Sequence, residues 1–163
     1  MTNRAAGEMN KVLSADFVDF IRELNRHKVD YVLVGGYALA VYGIVRATGD
    51  IDFLYRRTES NVSLLCAALD KFGAPANVID QDALMKPGIV TQFGEPPQRI
   101  DLLNSIDGVT FGKVWSGATR TVIDGQKVRV ISRADLTTNK SATGRKRDDD
   151  DARKLASRRG PKN

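Results

Sequence analysis

Tyr31-Val-Leu-Val34 is a run of strand formers with no polar break, and it ends abruptly on Gly35-Gly36. Such a run reads as a buried strand. Tyr37 to Tyr42 then favours helix, and a second strand begins at Asp50-Ile-Asp-Phe-Leu-Tyr55. Strand, tight turn, short helix and strand in quick succession commit this part of the chain to an α/β arrangement around one sheet. The second strand also has two unlike faces. Side chains at i and i+2 of a strand point the same way, so Asp50 and Asp52 share a face while Ile51, Phe53 and Tyr55 form the apolar one.

Two carboxylates about 7 Å apart along a strand repel each other in a half-buried site. A hard cation removes that cost, and Mg²⁺ characteristically takes one or two carboxylates together with waters and substrate phosphates. A bare Asp-x-Asp is common on solvated strand edges, so the turn before it carries weight. Glycines allow a tight backbone turn and close approach of a ligand to the peptide N–H groups, and a helix start favours anions. The turn is neither G-x-G-x-x-G nor G-x-x-x-x-G-K-[ST], so it indicates neither a dinucleotide site nor a P-loop. A third acid, Asp101, interrupts the apolar stretch Gln98-Arg-Ile-Asp-Leu-Leu103. A buried acid must be paired, hydrogen-bonded or metal-bound. Asp101 is therefore either the third member of a metal-binding triad or one half of a structural salt bridge with Arg99 or another basic residue.

The rest of the chain reads as one domain over 13–157, with flexible ends at 1–12 and 158–163. Phe17, Phe20, Ile21 and Leu24 fall at helical spacing within Ala15–Arg26. A helix over 60–72, strands over 89–93 and 99–104, and a short helix over 109–115 follow. Residues 119–123 and 127–131 form a hairpin across Asp124-Gly125, a favoured two-residue turn. Two helices, 132–142 and 147–157, close the chain. Lys140 lies on the stripe of the first that should pack inward, with Leu136 and Thr143; it either snorkels or reaches an anion. Asp148 and Asp151 share a face of the second helix with Leu155 and are expected to pair with nearby Arg or Lys.

At 163 residues the chain can bury a real core. It has no apolar run long enough to span a bilayer and its N-terminus lacks the apolar segment of a secretory signal. The single cysteine, Cys66, excludes an intrachain disulfide and a zinc cluster. These features point to a reducing cytoplasm and no membrane. The net charge is +5, and residues 140–163, with nine Lys/Arg and four Asp, account for all of it. A basic end can attract polyanions such as RNA or simply solvate the tail.

Taken together, these residues resemble the nucleotidyltransferase superfamily, the polymerase-beta-type fold. The likeness rests on Gly35-Gly36, Asp50, Asp52 and Asp101. More narrowly, Gly35-Gly36-Tyr-Ala-Leu-Ala, Gly43, Arg46-x-Thr48 and Asp50-Ile-Asp52 are similar to a small prokaryotic branch that includes minimal nucleotidyltransferases and AbiEii-type toxins. Asp135-Leu-Thr-Thr-Asn-Lys-Ser-Ala-Thr-Gly-Arg-Lys-Arg-Asp148 resembles that branch's C-terminal segment. The turn departs from the pattern in having no serine hydroxyl.

The resemblance implies an α/β (α+β) fold with a mixed sheet flanked by helices, the last of them following a β-hairpin. It also implies Mg²⁺ or Mn²⁺ held by catalytic Asp50, Asp52 and Asp101, and transfer of a nucleoside monophosphate from an NTP to an acceptor hydroxyl with release of pyrophosphate. Gly35, Gly36, Tyr37, Arg46, Thr48 and Lys140 are the implied nucleotide-binding residues. The acceptor is left open among tRNA or other RNA, protein and a small molecule, and a cognate toxin or antitoxin is a possible partner. The alternative is a catalytically silent member acting as an antitoxin, partner-binding or RNA-binding module. Other Asp-x-Asp enzymes fit less well. A haloacid-dehalogenase-type phosphatase needs Gly-Thr after the second acid, and a nucleotide-sugar glycosyltransferase needs a second nucleotide-binding half.

Overall fold

The computed structural model describes residues 13–157 and the backbone of 8–9. In chain order the elements are β1 (Glu8–Met9), α1 (Ala15–Arg26), β2 (Tyr31–Val34), α2 (Gly35–Val41), β3 (Asp50–Tyr55), α3 (Glu59–Phe72), α4 (Gln81–Leu84), β4 (Val90–Phe93), β5 (Arg99–Leu103), α5 (Phe111–Gly117), β6 (Thr119–Ile123), β7 (Gln126–Val130), α6 (Arg133–Ala142) and α7 (Lys146–Ser157). The strands form one mixed sheet in the order β1-β6-β7-β2-β3-β5-β4. This is the mixed sheet flanked by helices that the sequence implies. No helix among the described residues is long and apolar enough to cross a membrane.

Local chemistry sets the boundaries. Ser14, Thr58 and Ser132 each accept a hydrogen bond from a backbone N–H of the helix they cap. Gly73 ends α3 in the left-handed conformation. The β6–β7 hairpin turns on Asp124 and Gly125, both at positive φ, which matches the twist of the flanking strands. Short pieces escaped the sequence reading: the one-turn helix α4, a 3-10 turn at Ala76–Val78, and the two-residue strand β1, which pairs in parallel with β6. None is long enough to show a hydrophobic period. The flexibility expected of the rest of 1–12 and of 158–163 lies outside the described residues.

The core explains where the site can form. Phe20 of α1 meets Phe53, Phe72 and Phe93 edge-on, with ring centroids 5.4, 5.1 and 5.8 Å away. The apolar face of β3 therefore faces the layer containing α1 and α3. Asp50 and Asp52 must point to the opposite side. There, β2 runs antiparallel to β3 and aligns Val34 with Asp52, while β5 runs parallel to β3 and aligns Asp101 with Asp52. Three strands thus deliver the Gly-Gly turn and all three acids to one place.

Candidate metal and nucleotide site

Ligand atoms of Asp50, Asp52 and Asp101 all lie within 4.8 Å of one another. Two acids come from one strand by period-2 spacing. The third comes from the neighbouring strand by register, with Asp101 directly beside Asp52. Asp101 is buried, and the other two are half-buried. The donors are all carboxylate oxygens, which suit a hard cation.

The Gly-Gly turn is shaped around this cluster. Gly35 has φ +72, and a Cβ there would stand 2.1 Å from Asp52 Oδ2. A side chain would therefore displace the carboxylate. Gly36 sits against Thr48, whose Oγ1 would be 3.2 Å from an added Cβ. Thr48 Oγ1 donates to the main-chain oxygen of Asp50 at 2.9 Å or to its Oδ1 at 3.1 Å. Thr48 thus steadies the first acid.

Arg99 enters the site from two residues before Asp101, on the same strand face. Its Nε donates to Asp101 Oδ1 at 2.9 Å, and its terminal nitrogen donates to Asp50 Oδ2 at 2.8 Å and Asp101 Oδ2 at 3.2 Å. The two readings of Asp101 are both realised: it belongs to the triad and it pairs with Arg99. Sequence reasoning did not foresee the bridge to Asp50. It also missed Gln92, opposite Asp101 on β4, whose Nε2 donates to Asp101 Oδ2 at 3.2 Å. The i, i+2 relation could have signalled Arg99; nothing local marks Gln92.

The charges are unevenly settled. Burial pushes the Asp52 carboxyl up to about 8, and the neighbouring Asp50 and Asp101 add to the effect while Lys140 opposes it. Burial also raises Asp101, Asp50 adds to that, and Arg99 counters it. For Asp50 burial acts upward too, but hydrogen bonds with Asp101, Thr48 and Arg99 outweigh it and hold the carboxyl below its usual range. Of the three, Asp52 is the carboxyl that burial and neighbouring charge push hardest toward its neutral form. A divalent ion fits this donor set because it supplies the positive charge that Arg99 alone does not.

A second polar cluster lies behind the triad. Lys140 on α6 is largely buried, so it does not snorkel. It donates to Asp148 Oδ1 at 3.0 Å and stands 3.7 Å from Oδ2 of fully buried Asp151. Arg46 donates to the other oxygen of Asp151. The pairing expected of Asp148 and Asp151 with basic residues is what α7 provides. Thr143 adds a 2.7 Å hydrogen bond to Asp148. Tyr37 lies edge-on to Phe17 at 5.7 Å, and burial together with the Asp50 charge raises its phenol. Every implied nucleotide-binding residue thus sits on the turn, on the approach to β3 or in this supporting cluster.

An apolar strand, a glycine turn shaped around a carboxylate and three clustered acids make a carboxylate site that could hold a metal ion. Over residues 14–161 the chain matches the family described as nucleotidyl transferase of unknown function (DUF2204), and it belongs to that family. No curated protein matches it.

Proposed function

We propose that the protein is a Mg²⁺- or Mn²⁺-dependent nucleotidyltransferase that moves a nucleoside monophosphate from an NTP to an acceptor hydroxyl and releases pyrophosphate. The observation that carries this reading is the convergence of Asp50, Asp52 and Asp101 within 4.8 Å beside a glycine turn that leaves Asp52 its space. Asp50 and Asp52 would hold the metal, and Asp101 would complete the set and stand ready to take the acceptor's proton. When bound, the ion supplies positive charge to the triphosphate and the attacking oxygen. Gly35 and Gly36 offer backbone N–H groups to the phosphates, and Lys140, Arg46 and Tyr37 border the same region. Thr48 and Gln92 keep the acids oriented. Catalysis in such a site comes mainly from positioning and charge neutralisation.

The acceptor class follows from experiment, as does any place in a toxin–antitoxin pair, which rests on sequence resemblance alone. The chain's length, composition and lone cysteine fit a cytoplasmic protein. A second reading is a catalytically silent member that binds a partner. It is favoured by one observation: Arg46, Arg99 and Lys140 are each already paired with acids of this chain. Thermal unfolding with Mn²⁺ or Mg²⁺ and NTP separates the two. A site of this kind gives a much larger stabilisation with metal and NTP together than with either alone, and Asp50→Asn with Asp52→Asn removes the synergy while the fold persists. An unchanged shift in the double variant refutes the metal assignment. Synergy without incorporation of α-labelled nucleotide into RNA, protein or small acceptors supports the silent reading.

A further inference from the structure

A cleft of about 910 Å³ opens between the end of α1, α5 and the β6–β7 hairpin. It is remote from the acids: it includes Tyr31, at the opposite end of β2 from the Gly35 turn, which is about 13 Å of extended chain away. Four cations line it, Lys28, Arg120, Lys127 and Arg129, against one acid, Asp30. Asp30 is already bound to Arg56 at 2.9 Å. None of the four cations has a carboxylate within ion-pair distance among the described residues.

The strand register makes this arrangement costly to the fold. Arg120 and Arg129 are directly opposed across the antiparallel pair, and Lys127 opposes Val122 on the same face. Thr121, Ile123, Val128 and Val130 fill the other, buried face. Like charges directly opposite one another destabilise a sheet, and no acid among the described residues pairs with them. Beside them the Arg129 guanidinium lies 3.7 Å from the centroid of the Trp115 ring, which also stacks with Phe111 at 5.7 Å and has the Arg56 guanidinium at 5.1 Å, an aromatic–guanidinium platform next to Lys28, Arg120 and Lys127. That combination suits a strand whose phosphates need positive charge and whose bases have faces to stack.

We propose that this cleft binds single-stranded nucleic acid, with Lys28, Arg120, Lys127 and Arg129 on its phosphates and the Trp115 platform beside its bases. The inference stands apart from the catalytic reading, since it uses none of the triad.

Trp115 is the single tryptophan of the chain, so its emission reports on the cleft directly. Short oligouridylate and oligothymidylate are the probes, read by tryptophan quenching and by anisotropy of a labelled strand, with the full chain and without metal or NTP. Binding of either strand is expected to quench Trp115, and the tighter of the two identifies RNA or DNA as the source. Four phosphate contacts predict a log–log salt slope of about −3. Arg120→Glu with Lys127→Glu, both exposed, should weaken binding at least about tenfold and make the slope about 1.4 shallower. Circular dichroism should show the double variant folded. Asp50→Asn with Asp52→Asn should bind as the unaltered chain does, which keeps this test independent of catalysis. The proposal is overturned if the double charge reversal binds equally well or if Trp115 does not respond. It is also overturned if polyglutamate competes as well as oligouridylate, or if removing residues 158–163 abolishes binding.

Discussion

Asp52→Asn in the metal-free protein should remove a pH dependence that the native chain carries. In the folded state burial and the adjacent acids hold the Asp52 carboxyl at about 8, against an ordinary 3.8. Folded protein therefore keeps a proton that the unfolded chain loses as pH rises between those values. The state that binds more protons is favoured at low pH, so the stability contributed by this group is complete below about pH 4 and lost progressively by about pH 8. The full shift corresponds to about 6 kcal/mol at most. Arg99 can swing toward Asp52 and water can enter the half-open site, so about 2–3 kcal/mol is expected to survive. Asn keeps the shape of the protonated acid without its titration. In urea unfolding with chelator, the variant should match the native chain near about pH 4 and exceed it by about 2–3 kcal/mol near pH 8. Asp50, shifted downward, acts in the opposite sense only below its ordinary range and does not blur this window. Stability curves that stay parallel for native and variant protein from pH 4 to 8 would refute the electrostatic account of the triad. Mn²⁺ should close the gap by stabilising the native chain more than the variant.

Three further outcomes follow from the same geometry. Gly35→Ala places a Cβ against Asp52 Oδ2 at a positive φ; it should cost about 1–2 kcal/mol from backbone strain alone and lose most metal-induced stabilisation, checked by denaturation with and without Mn²⁺. Lys140→Ala strips a cation from fully buried Asp151 and should destabilise by about 2–4 kcal/mol in urea; an unchanged midpoint with weakened NTP binding would instead make Lys140 purely a phosphate contact. Arg99→Gln removes the resident counter-charge of Asp50 and Asp101, so the metal-free melting temperature should fall while Mn²⁺ titrates in at several-fold lower concentration by calorimetry.

The local patterns were legible in the chain itself. An unbroken apolar run gave β2, period-2 alternation placed Asp50 and Asp52 on one face, and helical spacing of Phe17, Phe20, Ile21 and Leu24 marked α1. These features depend on neighbours within a few residues, which is the range over which propensity and periodicity act. The inward stripe carrying Lys140 was legible too, but its partners were not: Asp148 and Asp151 meet it only because α7 folds back on α6. Tertiary register decided the rest. Asp101 stands beside Asp52 because β5 pairs in parallel with β3, Gln92 reaches it because β4 pairs antiparallel with β5, and Arg120 opposes Arg129 because the hairpin closes in that alignment. A one-residue slip would turn each of these side chains to the other face. Sequence thus determines which faces are acidic, basic or apolar, and the pairing of strands distant in sequence determines which of those charges meet.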